Sequence, residues 1–265
     1  MNKLILCLCV VVSLVAARAP KRRLTESERV EQWHQKHTWP PTWQPESEGY
    51  RKLMEDRERE IQSEIVESSE RWENWMQYVQ SRYTPTFTEM GFQLAKIPEE
   101  SFRKLHEAFE EGMTHWDELR TEGAIPVIHG PDSKFIDVQP LLADVQREIL
   151  PLHEKWAGDI KLKPTSIYGI RVYRNGSSLS MHCDKSYSHV ISSILHIAHQ
   201  YDNDDEPWPI EIEGHDGKLY QVNLEPGEML FYESAKALHG RRSMFKGSYY
   251  AGLFSHYAPV DKRVW

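Results

Sequence analysis

YGIRVYRNGSSLSMHCDKSYSHVISSILHIAH, residues 168–199, decides how this chain reads. It carries His182 and Asp184, two residues apart, between two runs that read as strands. Side chains at i and i+2 of a strand point to the same face, so both can reach one ion. Cys183 lies between them and points the other way, which reads as a buried, inert thiol rather than a nucleophile. A third ligand is available at His239, in ESAKALHGRR, 55 residues beyond Asp184. Two imidazoles and one carboxylate on one face of a metal leave the opposite positions open. A lone His-x-Asp is a common accident in a chain with 13 His, so the flanking sequence has to carry the rest.

It does so on both sides of His239. Before it, LEPGEMLFYES reads as a turn and a strand that deliver the imidazole; after Gly247, SYYAGLFSHY reads as a closing strand. From Pro164 onward, short alternating strands follow one another, separated by Gly, Asn and Asp clusters. Seven or eight such strands predict a double-sheet jelly roll. The fold class expected is therefore α+β, a double-stranded β-helix barrel with N-terminal and flanking helices. With these features the sequence resembles the prolyl 4-hydroxylase-like Fe(II)/2-oxoglutarate dioxygenases over roughly residues 83–257, most specifically at 171–184 and 226–257. The resemblance implies an oxidoreductase that binds Fe(II) at His182, Asp184 and His239 and uses 2-oxoglutarate as cosubstrate, with ascorbate as an optional reductant. It further implies hydroxylation of a side chain, peptidyl proline being one candidate, on a peptide or small-molecule substrate.

The distal carboxylate of 2-oxoglutarate needs a cation or strong donors at the inner end of the barrel. The resembled family commonly places a Lys or Arg ten residues after the distal His, where this chain has Tyr249. The candidate replacements are Arg171, Lys246, Arg241 and Arg242. Arg171 is preferred, because strand alternation puts it on the face of Tyr173, which matches a family tyrosine nine residues before the first ligand. Tyr249 would add its hydroxyl. The expected cosubstrate residues are thus Arg171, Tyr173 and Tyr249. His189, His196, His199 and His256 compete as ligands but read as hydrogen-bonded core or rim residues.

The first 17 residues combine Lys3, an apolar run over 4–17 and small residues at its end, which reads as a secretory signal peptide. The run is too short to span a membrane, and no other run approaches spanning length. The expected organisation is residues 1–17 as signal peptide, 18–82 as a helical extension and 83–265 as the jelly-roll domain. The expected location is secreted or in the lumen of the endoplasmic reticulum. Removing the signal takes one Lys, and the net charge moves from −8 to −9, which argues against a nucleic-acid partner. Cys7 and Cys9 leave with it, so Cys183 stands without an internal disulfide partner. Nine Trp and twelve Tyr supply much of the buried area instead. Asn175-Gly176-Ser177 is a glycosylation sequon expected near the pocket mouth, and the acidic run DNDDE at 202–206 could border that pocket.

Upstream of the barrel, a short helix is expected over about 25–36, then a Pro-rich connector. Ser47 caps a long helix expected to run to about Arg82, with Tyr50, Met54, Ile61, Trp72 and Met76 in one apolar stripe. Further helices are expected over about 99–119 and 138–156, the second with Leu142, Val145, Ile149 and Leu152 inward. Two other functions fit the same residues. One is a metal-dependent jelly-roll enzyme without 2-oxoglutarate, suggested by Tyr249. The other is a non-catalytic secreted binding protein that uses the long helix as its interface. The oligomeric state stays open.

Overall fold

Ser47 accepts a hydrogen bond from the Tyr50 N–H at 3.0 Å and starts helix α1 (Glu48–Ser63), as its position predicts. The computed structural model describes residues 47–261 apart from 124 and 205. The expected signal peptide and the expected helix at 25–36 lie outside the described residues. The single long helix is corrected: after α1 the chain breaks at 64–67 and resumes as α2 (Ser68–Tyr83). A straight helix would leave one apolar stripe uncovered along its whole length, whereas folding back lets the two halves cover each other. Tyr50, Met54, Ile61 and Tyr78 form that shared cluster, with Ile65, Trp75 and Val79 packed on it. The adjacent β-branched residues Ile65 and Val66 sit at the break, and the Arg71 guanidinium caps it by donating to the Ile65 carbonyl at 2.9 Å. Trp72 and Met76, expected inward, are instead 63% and 48% exposed, because the hairpin turns that side of α2 to solvent.

Next come β1 (Phe92–Lys96) and α3 (Glu99–Thr114), the latter continued by a 3-10 turn, Trp116–Glu118. Three short strands follow, β2 (Arg120–Thr121), β3 (Ile128–His129) and β4 (Lys134–Ile136). Helix α4 (Gln139–Trp156) then leads into the barrel strands β5 (Leu162–Ile167), β6 (Ile170–Tyr173), β7 (Ser178–His182) and β8 (Ile191–Tyr201). They are followed by β9 (Ile210–Glu213), β10 (Leu219–Val222), β11 (Glu228–Tyr232), β12 (His239–Arg241) and β13 (Gly247–Pro259). Among the described residues these form two antiparallel sheets. The larger runs β1-β11-β8-β13-β6-β4-β2, with β5 also paired to β13. The smaller runs β10-β9-β12-β7-β3. This is the expected double-sheet barrel.

Helices α3 and α4 cover the outer face of the larger sheet. Leu105 and Phe109 from α3 and Leu142, Val145 and Ile149 from α4 join Leu195, Ile197, Phe231 and Leu253 of the strands in the main core. Leu152, expected inward, is 37% exposed. A second cluster, with Ile194, Ile210, Ile212 and Leu230, closes the space between the sheets at one end. Tyr173, Trp208, Phe245 and Tyr250 close another part of it. What the two clusters leave between the sheets is the site. No helix of the described residues is long and apolar enough to cross a membrane.

Candidate metal centre

Strands β12 and β7 pair antiparallel with His239 directly opposite His182. Directly opposed residues share a face, so the two rings meet with centroids 4.5 Å apart. Asp184 lies just beyond the end of β7, and its N–H donates to the Ser234 carbonyl at 2.7 Å, which keeps the strand's alternation going. Cys183 therefore points away, as the alternation predicts. Its sulfur lies 3.1 Å from Ser81 Oγ, and burial pushes its thiol up to about 12, so it stays an inert thiol.

One donor atom each from His182, Asp184 and His239 fits within 4.8 Å of the others. Asp184 Oδ1 is 3.7 Å from His182 Nε2 and 4.0 Å from His239 Nε2. The other ring nitrogens are already spoken for. His182 Nδ1 bonds to the Ser180 carbonyl at 2.8 Å and His239 Nδ1 to the Ala237 carbonyl at 2.9 Å. That fixes Nε2 as the free lone pair on both rings, the arrangement that orients metal-binding imidazoles. Burial, then the neighbouring His182, holds the His239 pKa well below the ordinary value, so the ring is neutral. Burial also raises the Asp184 pKa, and Asp184 Oδ2 is a buried atom without a hydrogen-bond partner. Two imidazole Nε2 atoms converging on a buried carboxylate fit a divalent cation.

A cavity of about 370 Å³ opens over these three residues. Arg171, Tyr173, Tyr232, Arg241, Tyr250 and Phe254 line it. The expected cosubstrate residues are thus divided. Arg171 and Tyr173 face the cavity, and the Arg171 guanidinium reaches the Tyr173 hydroxyl at 3.2 Å. Arg171 is also held by Glu122, with Nη2 2.9 Å from Oε1. Tyr249 does not line the cavity. It points to the other side of the sheet and meets the Phe109 ring at 5.4 Å. Strand β13 shifts register between Gly247 and Tyr249 and again between Ala251 and Gly252, and Tyr250 is the residue that faces inward.

Among the alternative cations, Lys246 pairs with Glu206 at 2.7 Å and Arg242 with Glu211 at 2.6 Å, both outside the cavity. Arg241 is different. It is 4% exposed, donates to the Trp208 carbonyl and to the Tyr250 hydroxyl at 2.8 Å, and stacks over both rings. No ion pair among the described residues joins it to a carboxylate. Trp208, Tyr232 and Tyr250 went unread in the sequence. The available signal was His239-x-Arg241, the same i, i+2 parity that joins His182 to Asp184.

The competing histidines fall into two pairs. His189 and His256 line the cavity beside the triad, their centroids 3.8 Å apart, each bonded to a Ser hydroxyl at 2.7 Å. His196 and His199 bond to each other at 2.7 Å and stack behind Tyr250. Asn175 is exposed, but it borders a separate surface groove with Trp116 and Asp202 rather than the cavity mouth. Of the acidic run, Glu206 is used by Lys246 and does not border the cavity.

No protein-family model matches the chain, and neither does any curated protein. Solved structures do match. A prolyl hydroxylase from Trichoplax adhaerens, in complex with a hypoxia inducible factor oxygen degradation domain peptide fragment, has a TM-score of 0.50 at 9% identity, over 81% of this chain and 93% of that one. AviO1 from Streptomyces viridochromogenes Tue57 has a TM-score of 0.50 at 13% identity, over 66% of this chain and 92% of that one. A prolyl-4-hydroxylase from Pseudomonas putida reaches 0.47 at 14% identity, over 65% and 94%. The chain has the fold of the Fe(II)/2-oxoglutarate dioxygenases. The His182, Asp184 and His239 donors, which could hold a metal ion, lie on the lining of the cavity.

Proposed function

We propose that the chain is an Fe(II)- and 2-oxoglutarate-dependent hydroxylase acting on a side chain of a secreted polypeptide. The observation that carries this is the cavity itself. A converging His-Asp-His triad shares it with Arg241, a buried cation without a carboxylate among the described residues. A buried charge left uncompensated costs several kcal/mol, on the order expected of a site built for an anion. His182 Nε2, Asp184 and His239 Nε2 would hold Fe(II), each ring's Nδ1 being turned to a backbone carbonyl. Arg241, with the Tyr250 hydroxyl beside it, would take the distal carboxylate of 2-oxoglutarate. Arg171 is less suited because Glu122 already occupies its guanidinium. Ile194, Ile210 and Phe254 give the cavity apolar walls that exclude water. Fe(II) and 2-oxoglutarate, when bound, supply the oxidising chemistry.

Two features favour a peptide as substrate. The Trichoplax hydroxylase was solved with a peptide fragment. Here Tyr168 lines the cavity while 43% exposed, with Lys185 also on its lining, offering aromatic and basic contacts to a chain crossing the entrance. Export is proposed from the signal-like first 17 residues, and N-terminal sequencing of secreted protein should begin near Arg18. The reaction is tested by incubating purified protein with Fe(II), 2-oxoglutarate and a peptide library, with and without ascorbate. Succinate formation that Asp184→Ala abolishes is the expected result. Iron-dependent chemistry without succinate would favour an enzyme that does not use 2-oxoglutarate.

A further inference from the structure

The metal-ligand segments are held from behind by helix α2. Gln77 and Gln80 lie one turn apart on its barrel-facing side. The Cys183 N–H donates to Gln77 Oε1 at 2.6 Å. The Gln80 amide donates to the Asp184 carbonyl at 2.6 Å and to the Ala235 carbonyl at 2.9 Å. Those carbonyls belong to two different stretches of chain. One carries the Asp184 carboxylate; the other runs through Ala237, whose carbonyl fixes the His239 ring. Around the bridge, the Lys236 ammonium donates to the Ser81 and Thr84 carbonyls at 2.9 and 2.7 Å, and Ser81 Oγ donates to the Lys236 carbonyl at 3.0 Å. The two segments also pair directly through the Asp184 N–H and the Ser234 carbonyl.

We infer that Gln80 is a positioning residue of the metal centre. Its single carboxamide, by bonding the main chains of Asp184 and Ala235 together, fixes the separation of the Asp184 and His239 donors and so sets the affinity for the metal. This rests on the triad binding a divalent cation. The geometry requires a donor at this point: both partners are carbonyl oxygens, which only an N–H or O–H can join. A carboxylate there would repel both, and an apolar chain of equal length would strip the Asp184 carbonyl of this donor and leave Ala235 only the longer bond from the Thr84 hydroxyl at 3.4 Å. The partners that orient metal ligands typically contribute ten- to a hundredfold in metal affinity.

The test uses the full chain and Co(II) alone, titrated by calorimetry and by its visible absorption. Gln80→Met keeps the volume and removes the donor; Gln80→Glu reverses its polarity. Met76→Gln alters the exposed side of the same helix and serves as control. Both Gln80 variants should weaken Co(II) binding about ten- to a hundredfold. They should also change the absorption band shape, while the control matches wild type. Melting of the metal-free proteins separates this from a merely structural role, which would lower the midpoint of Gln80→Met without moving its Co(II) affinity. Co(II) affinity within twofold of wild type in both Gln80 variants would overturn the inference. Wild-type protein that binds no Co(II) would overturn the triad reading, and the inference with it.

Discussion

Arg241 and Arg171 both reach the cavity, but their surroundings predict different consequences for cosubstrate binding. Arg241 has neutral partners, Trp208 and Tyr250, whereas Arg171 has Glu122. Arg241→Gln should therefore raise the 2-oxoglutarate requirement about ten- to a hundredfold, the value of a hydrogen bond to a charged group, about 1.5–3 kcal/mol. Iron content should stay at the wild-type level. A titration of 2-oxoglutarate against succinate checks it, and a larger effect from Arg171→Gln would move the anchor to Arg171. A different prediction concerns His153 on α4, which is fully buried between Phe231 and Tyr257. Burial lowers its pKa from 6.5 to about 4. Between those values the unfolded chain binds a proton that the folded chain does not, so stability falls as pH drops through that window. His153→Phe should remove about 2 kcal/mol of the loss between pH 7 and pH 5, read as the change in urea stability relative to wild type. These residues also mark what the sequence could tell. Parity along a strand placed His182 and Asp184 together, because nothing interrupts the alternation between them. The family spacing of ten residues after His239 failed at Tyr249, because β13 shifts register between Gly247 and Tyr249, which no residue type announces.

Strand β12 is three residues long, yet it carries His239 and Arg241 and is clamped between β7 and β9. Gly240 makes that possible. A Cβ there would lie 2.8 Å from the Ser180 carbonyl oxygen and 2.9 Å from that of Leu179, both backbone atoms of β7 that cannot turn aside. Gly240→Ala should push β12 away from β7, separate His239 from its cross-strand partner His182, and weaken metal binding. Calorimetry with Co(II) on Gly240→Ala, which leaves all three ligands in place, would show it; wild-type affinity would refute the close fit. Among the helices, α3 and α4 were legible because each has one continuous apolar face covered by a sheet. The hairpin of α1 and α2 was not, since its apolar stripe is equally regular in one long helix and in two that fold together. The choice depends on what covers the stripe, which is tertiary information.

The hairpin and the barrel have separate apolar cores, and the contacts between them are mostly polar. Arg57 pairs with Glu213, Ser47 donates to the His215 carbonyl, Lys236 lies over the Tyr50 ring, and Gln77, Gln80 and Ser81 bond to the metal-ligand segments. Polar seams of this kind join parts that can fold separately. The barrel's main core takes nothing from residues before Phe87. A chain beginning at Thr84 should therefore still unfold in one cooperative transition, followed by circular dichroism on heating. In the full chain, reducing agent should leave the unfolding transition unmoved, because Cys183 is a free, buried thiol. Metal binding should behave differently. The truncated chain keeps His182, Asp184 and His239 but loses Gln80, so its Co(II) affinity should fall at least as far as that of Gln80→Met in the full chain. Loss of cooperative unfolding would instead make the hairpin part of the barrel's core. Full Co(II) affinity in a cooperatively folded 84–265 chain would show that the ligands need no support from outside the barrel.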